Sequence, residues 1–180
     1  MSGNKGLKNR GEASAWSVPV ELARVPEAGL HLELEANDAV RAAIAQLAAV
    51  SGIPKLHASF DVARRGSGLH VTGRVTAEVG QACVVTLEPL SNRIEEDVDL
   101  VFLPGIPEPA AGGEPDADAP EPLVDGRVDL GAIATEYLVL AVDPYPRKEG
   151  ATFDALQSGD DAPHPFAALA ALKKDPGARS

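Results

Sequence analysis

The 180-residue chain is 44% apolar, which suffices for one domain with a buried core, and no apolar run approaches the roughly 20 residues a membrane span needs. Its formal charge of −11 is unevenly spread: residues 1–94 carry 10 basic and 9 acidic side chains, residues 95–129 carry 1 and 11, and residues 130–180 carry 5 and 7. The acidic band opposes binding to a phosphate backbone, which needs Lys and Arg, whereas the nearly neutral first half neither opposes nor supports it.

Residues 1–14 are small, polar and glycine-containing, and are expected to be a disordered tail. The basic start lacks the apolar stretch of a secretory signal, and a single cysteine forms no internal disulfide, so a cytoplasmic protein is expected. From Trp16 to Leu22 the apolar residues alternate, predicting a strand that Pro19 confines to an edge or a bulge. Leu30, Leu32 and Leu34 alternate with His31, Glu33 and Glu35 as a second strand. Over 37–51 the period changes: Val40, Ala43, Ile44, Leu47 and Ala48 share one helical face, Asn37 or Asp38 caps the start, and Gly52 with Pro54 stops it.

Leu56, Ala58, Phe60 and Val62 then mark a strand, linked through the glycine-containing turn 64–68 to the clearest alternation in the chain. There Leu69, Val71, Gly73, Val75, Ala77 and Val79 share one parity and His70, Thr72, Arg74, Thr76 and Glu78 the other, which predicts the central strand of an antiparallel sheet. The pattern stops at Gly80 and Gln81, and a short apolar run after Cys83 is expected to end at Glu88 and Pro89. Ile94, Val98, Leu100 and Phe102 form a further strand in which Glu96 sits on the apolar parity and requires a partner, a bulge or an end position.

Residues 104–122 read as an acidic flexible insertion of Pro, Ala, Gly, Asp and Glu. A brief strand over 123–128 leads to Asp129 as N-cap and to a second helix through Leu130, Ile133, Ala134, Tyr137, Leu138 and Ala141, stopped by Pro144. Two prolines make 143–150 a stiff extended exit, and Phe166, Leu169 and Leu172 followed by Lys173 and Lys174 predict a short C-terminal helix. The expectation is an α+β fold with one domain over 15–156, in which a bent or barrel-like antiparallel sheet of about five to seven strands carries two packed helices, followed by a tail over 157–180.

No catalytic group assembles in the sequence. Cys83 is a candidate nucleophile only if a histidine or cation lowers its pKa, and His31, His57, His70 and His164 are all distant in sequence; otherwise it is a small packing residue at a strand end. One cysteine with four scattered histidines matches no metal-site spacing, so no metal and no cofactor is expected. Asp97 and Asp99 project from one strand face, as a two-carboxylate hydrolase requires and as a solvated face also provides. Arg64, Arg65 and Arg74 near the hairpin could touch phosphate or be plain surface.

Three segments, Gln81-Ala-Cys-Val-Val-Thr-Leu-Glu-Pro-Leu90, the run from Val128 through Asp143-Pro-Tyr-Pro-Arg147, and Pro165-Phe-Ala-Ala-Leu-Ala-Ala-Leu-Lys173, together resemble the YceD family of large ribosomal RNA subunit accumulation proteins, and look like its alphaproteobacterial branch. The resemblance implies a non-enzymatic ribosome-biogenesis factor supporting 23S ribosomal RNA accumulation or processing. Its partner would be the large-subunit RNA precursor or a ribosomal protein, with no membrane and no small-molecule substrate. It points to Gln81, Cys83, Glu88, Pro89, Tyr145 and Arg147 as contact residues beside Arg64, Arg65 and Arg74. Many members carry a second cysteine shortly after the first, whereas here Thr86 follows Cys83 by three and 143–147 contains none, so no metal or redox role carries over. The acidic band motivates a rival reading, a module that binds basic protein partners.

Overall fold

The computed structural model describes residues 14–105 and 119–152. Nearly all of the N-terminal tail, most of the acidic insertion and the C-terminal helix expected near 166–174 lie outside the described residues. The described chain is α+β: a five-stranded sheet in the order β2-β3-β4-β5-β6, a two-stranded ribbon β1-β7, and two α-helices. The strands are β1 (Pro19–Glu21), β2 (Leu30–Glu35), β3 (Gly52–Arg65), β4 (Gly68–Ala82), β5 (Pro89–Leu103), β6 (Glu121–Pro122) and β7 (Arg127–Asp129); the helices are α1 (Asp38–Leu47) and α2 (Leu130–Ala141).

The long hairpins of β3, β4 and β5 form because their sequences alternate. Register is antiparallel and unbroken from Leu69 opposite Phe102 to Ala82 opposite Pro89, and β4 is the central strand its alternation predicts. Leu56, Ala58, Phe60 and Val62 of β3, Leu69, Val71, Val75, Ala77 and Val79 of β4, and Ile94, Val98 and Phe102 of β5 are buried on one face. Gly73 falls on this parity because Phe60 lies directly opposite; a Cβ there would stand 2.2 Å from the Ser59 carbonyl oxygen and 2.5 Å from the Phe60 ring. Glu96 shares the apolar parity without a bulge. It is half-buried within electrostatic reach of Tyr137 on α2, whose hydroxyl pKa is raised first by burial and then by neighbouring carboxylates, Glu96 among them.

Both helices pack on that same face, α1 against β3 and α2 against β4 and β5, and they also touch each other. Helix α1 starts where expected: the Asn37 side-chain oxygen accepts from the Val40 N–H at 3.0 Å, and Ile44 and Ala45 enter the core. Helix α2 buries Leu130, Ile133, Ala134 and Leu138. Its N-cap Asp129 joins two regions. One carboxylate oxygen accepts from the N–H groups of Gly131 (3.1 Å), Ala132 (3.1 Å) and Val18 (2.8 Å), and the other from the Ser17 hydroxyl (2.5 Å). Gly131 allows this closeness, since a Cβ would meet the Trp16 carbonyl oxygen at 2.6 Å.

Several expectations are corrected. The sheet is open, not barrel-like, and not wholly antiparallel: among the described residues its edge strands β2 and β6 do not pair, and two-residue β6, which runs parallel to β5, has a single N–H, that of Glu121, because Pro122 lacks one. The alternation from Trp16 yields only the short β1, because Leu22–Arg24 turn into a 3₁₀ segment. The strand expected over 123–128 is interrupted by a 3₁₀ turn, Val124–Gly126, with Asp125 left-handed at φ 52°. Pro89 begins β5 instead of ending a strand; at the first strand position its missing N–H disrupts little of the ladder.

Asp129→Ala removes the N-cap and the tie to the N-terminal segment together, so a urea melt should show a loss of about 2 kcal/mol, at the upper end for N-cap deletions. An unchanged midpoint and slope would contradict this assignment.

Candidate functional site: the Cys83 turn and the open sheet face

At the end of β4 the chain reverses through residues 83–88. The Cys83 N–H donates to the Glu88 carbonyl (2.9 Å) and the Leu87 N–H to the Cys83 carbonyl (2.9 Å), with Leu87 left-handed at φ 60°. This turn is clamped to the exit over 143–148. The Val84 N–H donates to the Pro146 carbonyl (2.9 Å), the Lys148 N–H to Cys83 Sγ (3.3 Å), Lys148 Nζ to Glu88 Oε2 (2.9 Å), and Gln81 Nε2 to the Asp143 carbonyl (2.8 Å). Asn92 Nδ2 donates to Gln81 Oε1 (2.8 Å), tying β5 into the same network.

Cys83 is fully buried. Its thiol pKa is lowered to about 6, first by the Lys148 N–H, then by the Thr86 hydroxyl and N–H, with the Val85 N–H adding a smaller push and burial opposing. No histidine is involved. Lowered thiol pKa values accompany reactive cysteines, but reactivity also needs access, and this sulfur has none. It acts as an acceptor that fastens the exit to the turn. Lys148 lowers the Glu88 carboxyl pKa, and Glu88 raises that of the Lys148 ammonium.

Six of the nine residues singled out in the sequence therefore come together. Gln81 and Cys83 are interior, Glu88 is exposed and paired, Pro89 opens β5 opposite Ala82, and Tyr145 and Arg147 stand exposed on the exit, with the Tyr145 N–H donating to Asp143 Oδ1 at 2.8 Å. The arginines do not join them. Arg64 turns back onto the chain, donating through Nε to the Val25 carbonyl (2.7 Å) and through Nη2 to the Ala23 carbonyl (3.2 Å). Arg65 is exposed at the hairpin. Arg74 lies six residues along β4 from Gly68, about 20 Å at strand rise, and is held by Asp97 (2.7 Å) and Glu95 (2.8 Å), which raise its pKa. Lys148, Asn92 and Asp143 went unnoticed in sequence because their partners are 60, 11 and 62 residues away, beyond any local pattern.

The second feature is the face of the sheet that neither helix covers. Cross-strand rungs place Lys55, Glu78 and Arg93 in one row, His57, Thr76 and Glu95 in the next, then Ser59, Arg74 and Asp97, then Asp61, Thr72 and Asp99. On the flanking β2, His31 stands opposite Asp61 and Glu35 opposite His57. This face carries seven carboxylates (Glu33, Glu35, Asp61, Glu78, Glu95, Asp97, Asp99) against four cations (Lys55, Arg65, Arg74, Arg93). His31 bridges Asp61 (2.8 Å) and Glu33 (3.0 Å), whose hydrogen bonds raise its pKa; His57 meets Glu33 (2.8 Å) and His70 meets Asp99 (2.7 Å). Asp97 and Asp99 share this face as expected, but they are exposed and engaged by Arg74 and His70, the setting of a solvated charge ladder. Among the described residues no group of three or more His, Cys, Asp or Glu is arranged to hold a metal ion, and no helix is long and apolar enough to cross a membrane.

Because the folded Cys83 pKa lies below its unfolded value, the thiolate's stabilisation is complete above about 9 and is lost as pH falls through about 6. The melting-temperature advantage of the native chain over Cys83→Ser should therefore shrink from pH 9 to pH 6, and alkylation of the folded protein should stay slow throughout. A pH-independent difference, or rapid alkylation, would refute the buried-thiolate lock.

Neither a curated protein nor a solved structure matches the chain. A family model does: "Large ribosomal RNA subunit accumulation protein YceD" matches residues 71–173, which takes in most of β4, the Cys83 turn, β5, α2 and the exit. With more than half of its length matched, the chain belongs to the YceD family.

Proposed function

We propose that the chain supports large-subunit (23S) ribosomal RNA accumulation as a non-enzymatic cytoplasmic factor, and that it does so by holding a basic ribosomal protein on the open face of its sheet. The observation that carries this reading is the charge of that face, seven carboxylates against four cations over a surface that neither helix covers. Such a surface steers and selects cationic partners, and charge complementarity contributes mainly to association rate and specificity. The same acidity continues in sequence, since Glu95, Asp97 and Asp99 open the band of 11 acidic and 1 basic side chains over 95–129.

Direct RNA binding through the arginines has less support. Phosphate contacts need cations that release counterions on binding, yet Arg64 is spent on backbone carbonyls and Arg74 on two carboxylates. Arg65 alone does not make a phosphate track. The turn residues Gln81, Cys83 and Glu88, with Lys148 of the exit, serve here to hold the chain that leaves α2 in place.

In the native host depleted of this protein, the wild-type chain should restore the ratio of large to small ribosomal RNA. A triple charge reversal, Asp61→Lys with Asp97→Lys and Asp99→Lys, should fail to restore it while melting within a few degrees of wild type, because exposed ion pairs contribute only about 0–1 kcal/mol each. Full rescue by the folded triple variant, combined with failure of Arg65→Glu, would replace this reading with the RNA one.

A further inference from the structure

Among the described residues six large apolar side chains are exposed: Leu47, Val84, Leu87, Val124, Leu140 and Tyr145. All but Val124 lie on the segments that meet at one end of the molecule, namely the C-terminal ends of α1 and α2, the Cys83 turn and the exit. Between these segments runs a groove of about 590 Å³, lined by Ala48, Ala82, Val84, Val139, Val142 and Pro146. Leu47, Leu140 and Tyr145 are chain neighbours of its lining residues. Val84 stands in its wall at 43% exposure, and Leu87 is 78% exposed on a left-handed backbone. The groove wall formed by Ala82, Val84, Val139, Val142 and Pro146 is mainly apolar, the kind of surface that a covering segment buries.

We propose that the occupant is the chain's own C-terminal segment, 165–174, with Phe166, Leu169 and Leu172 seated in the groove. Three observations select it over an outside partner. These three residues recur at i, i+3 and i+6, which puts them on one side of a helix of a width suited to a groove. Asp143, Pro144 and Pro146 of the exit form part of the groove wall, and the described chain ends at residue 152, six residues beyond Pro146; the twelve residues 153–164 span up to about 40 Å, enough to return to it. The family match also runs on to residue 173, which makes this segment part of the family unit and not an appendage. Lys173 and Lys174 follow the apolar residues, and Asp143 in the groove wall offers the opposite charge. The inference concerns the opposite end of β4 from the hairpin and does not depend on the acidic face.

Hydrogen exchange of the full-length chain, followed by mass spectrometry, reads this directly. Amides of 165–174 should exchange at least about tenfold more slowly than the intrinsic rate, independently of protein concentration. Ala82→Asp with Val84→Asp, both exposed in the groove wall, should return them to the intrinsic rate while amides of β3–β5 keep their protection. Conversely, Phe166→Ser with Leu169→Ser should speed exchange at 139–145. Intrinsic-rate exchange of 165–174 in the wild-type chain, or protection that survives the groove variant, overturns the proposal. Protection that grows with concentration assigns the groove to a second copy and also overturns it.

Discussion

The structure depends on one constraint: side chains along a strand alternate between faces, and among the described residues both helices cover the same one. In β3, β4 and β5 the residues of one parity are mostly apolar, Glu96 being an exception, and enter a core shared with Ile44 of α1 and with Leu130, Ala134 and Leu138 of α2. The intervening residues are thereby committed to the other side. A shift of register by a single residue would exchange the two sets entirely, so the apolar parity that stabilises the core also fixes the position of every charge on the open face. The ladder of Lys55, Glu78, Arg93, Arg74, Asp97, His70 and Asp99 is a consequence of packing on the far side of the sheet.

Two polar locks hold the covering layer at opposite ends. Asp129 fastens the start of α2 to the segment before β1, and Cys83 with Gln81 and Lys148 fastens the chain that leaves α2 to the end of β4. Helix α2 has no glycine cap; it ends at Val142 in an extended conformation, two residues before Pro144, and the clamped exit fixes the course of the chain beyond it. This gives the only thiol of the chain a physical role without chemistry. A sulfur surrounded by N–H donors is a strong acceptor, and a buried one is shielded from reagents.

Much of this was legible from residue order. The alternation of Leu69 to Val79, the turn at Gly66 and Ser67, and the caps Asn37 and Asp129 are local signals, and local signals specify strands, turns and helix starts. What stayed hidden is non-local. The clamp between the Cys83 turn and the exit joins residues more than 60 positions apart, and although both segments stand out in sequence no local pattern pairs them. The arginine grouping failed for a related reason: Arg64, Arg65 and Arg74 are close in number, but an extended strand carries the third about 20 Å from the others. Pro89 was misread because proline is compatible both with the end of a strand and with its first position. The expected barrel failed on strand length, since β6 is two residues long and β1 pairs only with β7.

The central claim, that the open sheet face holds a basic protein, is tested most directly by placing a photo-reactive amino acid at Asp97, at Glu78 and, as a control on the covered side, at Leu140, then irradiating the full-length chain in native lysate. The account predicts that the two sheet-face positions capture the same basic ribosomal protein, in a yield that falls as salt is raised, and that Leu140 does not capture it. Capture of ribosomal RNA at Asp97 and Glu78, or capture of the same protein only at Leu140, would contradict it.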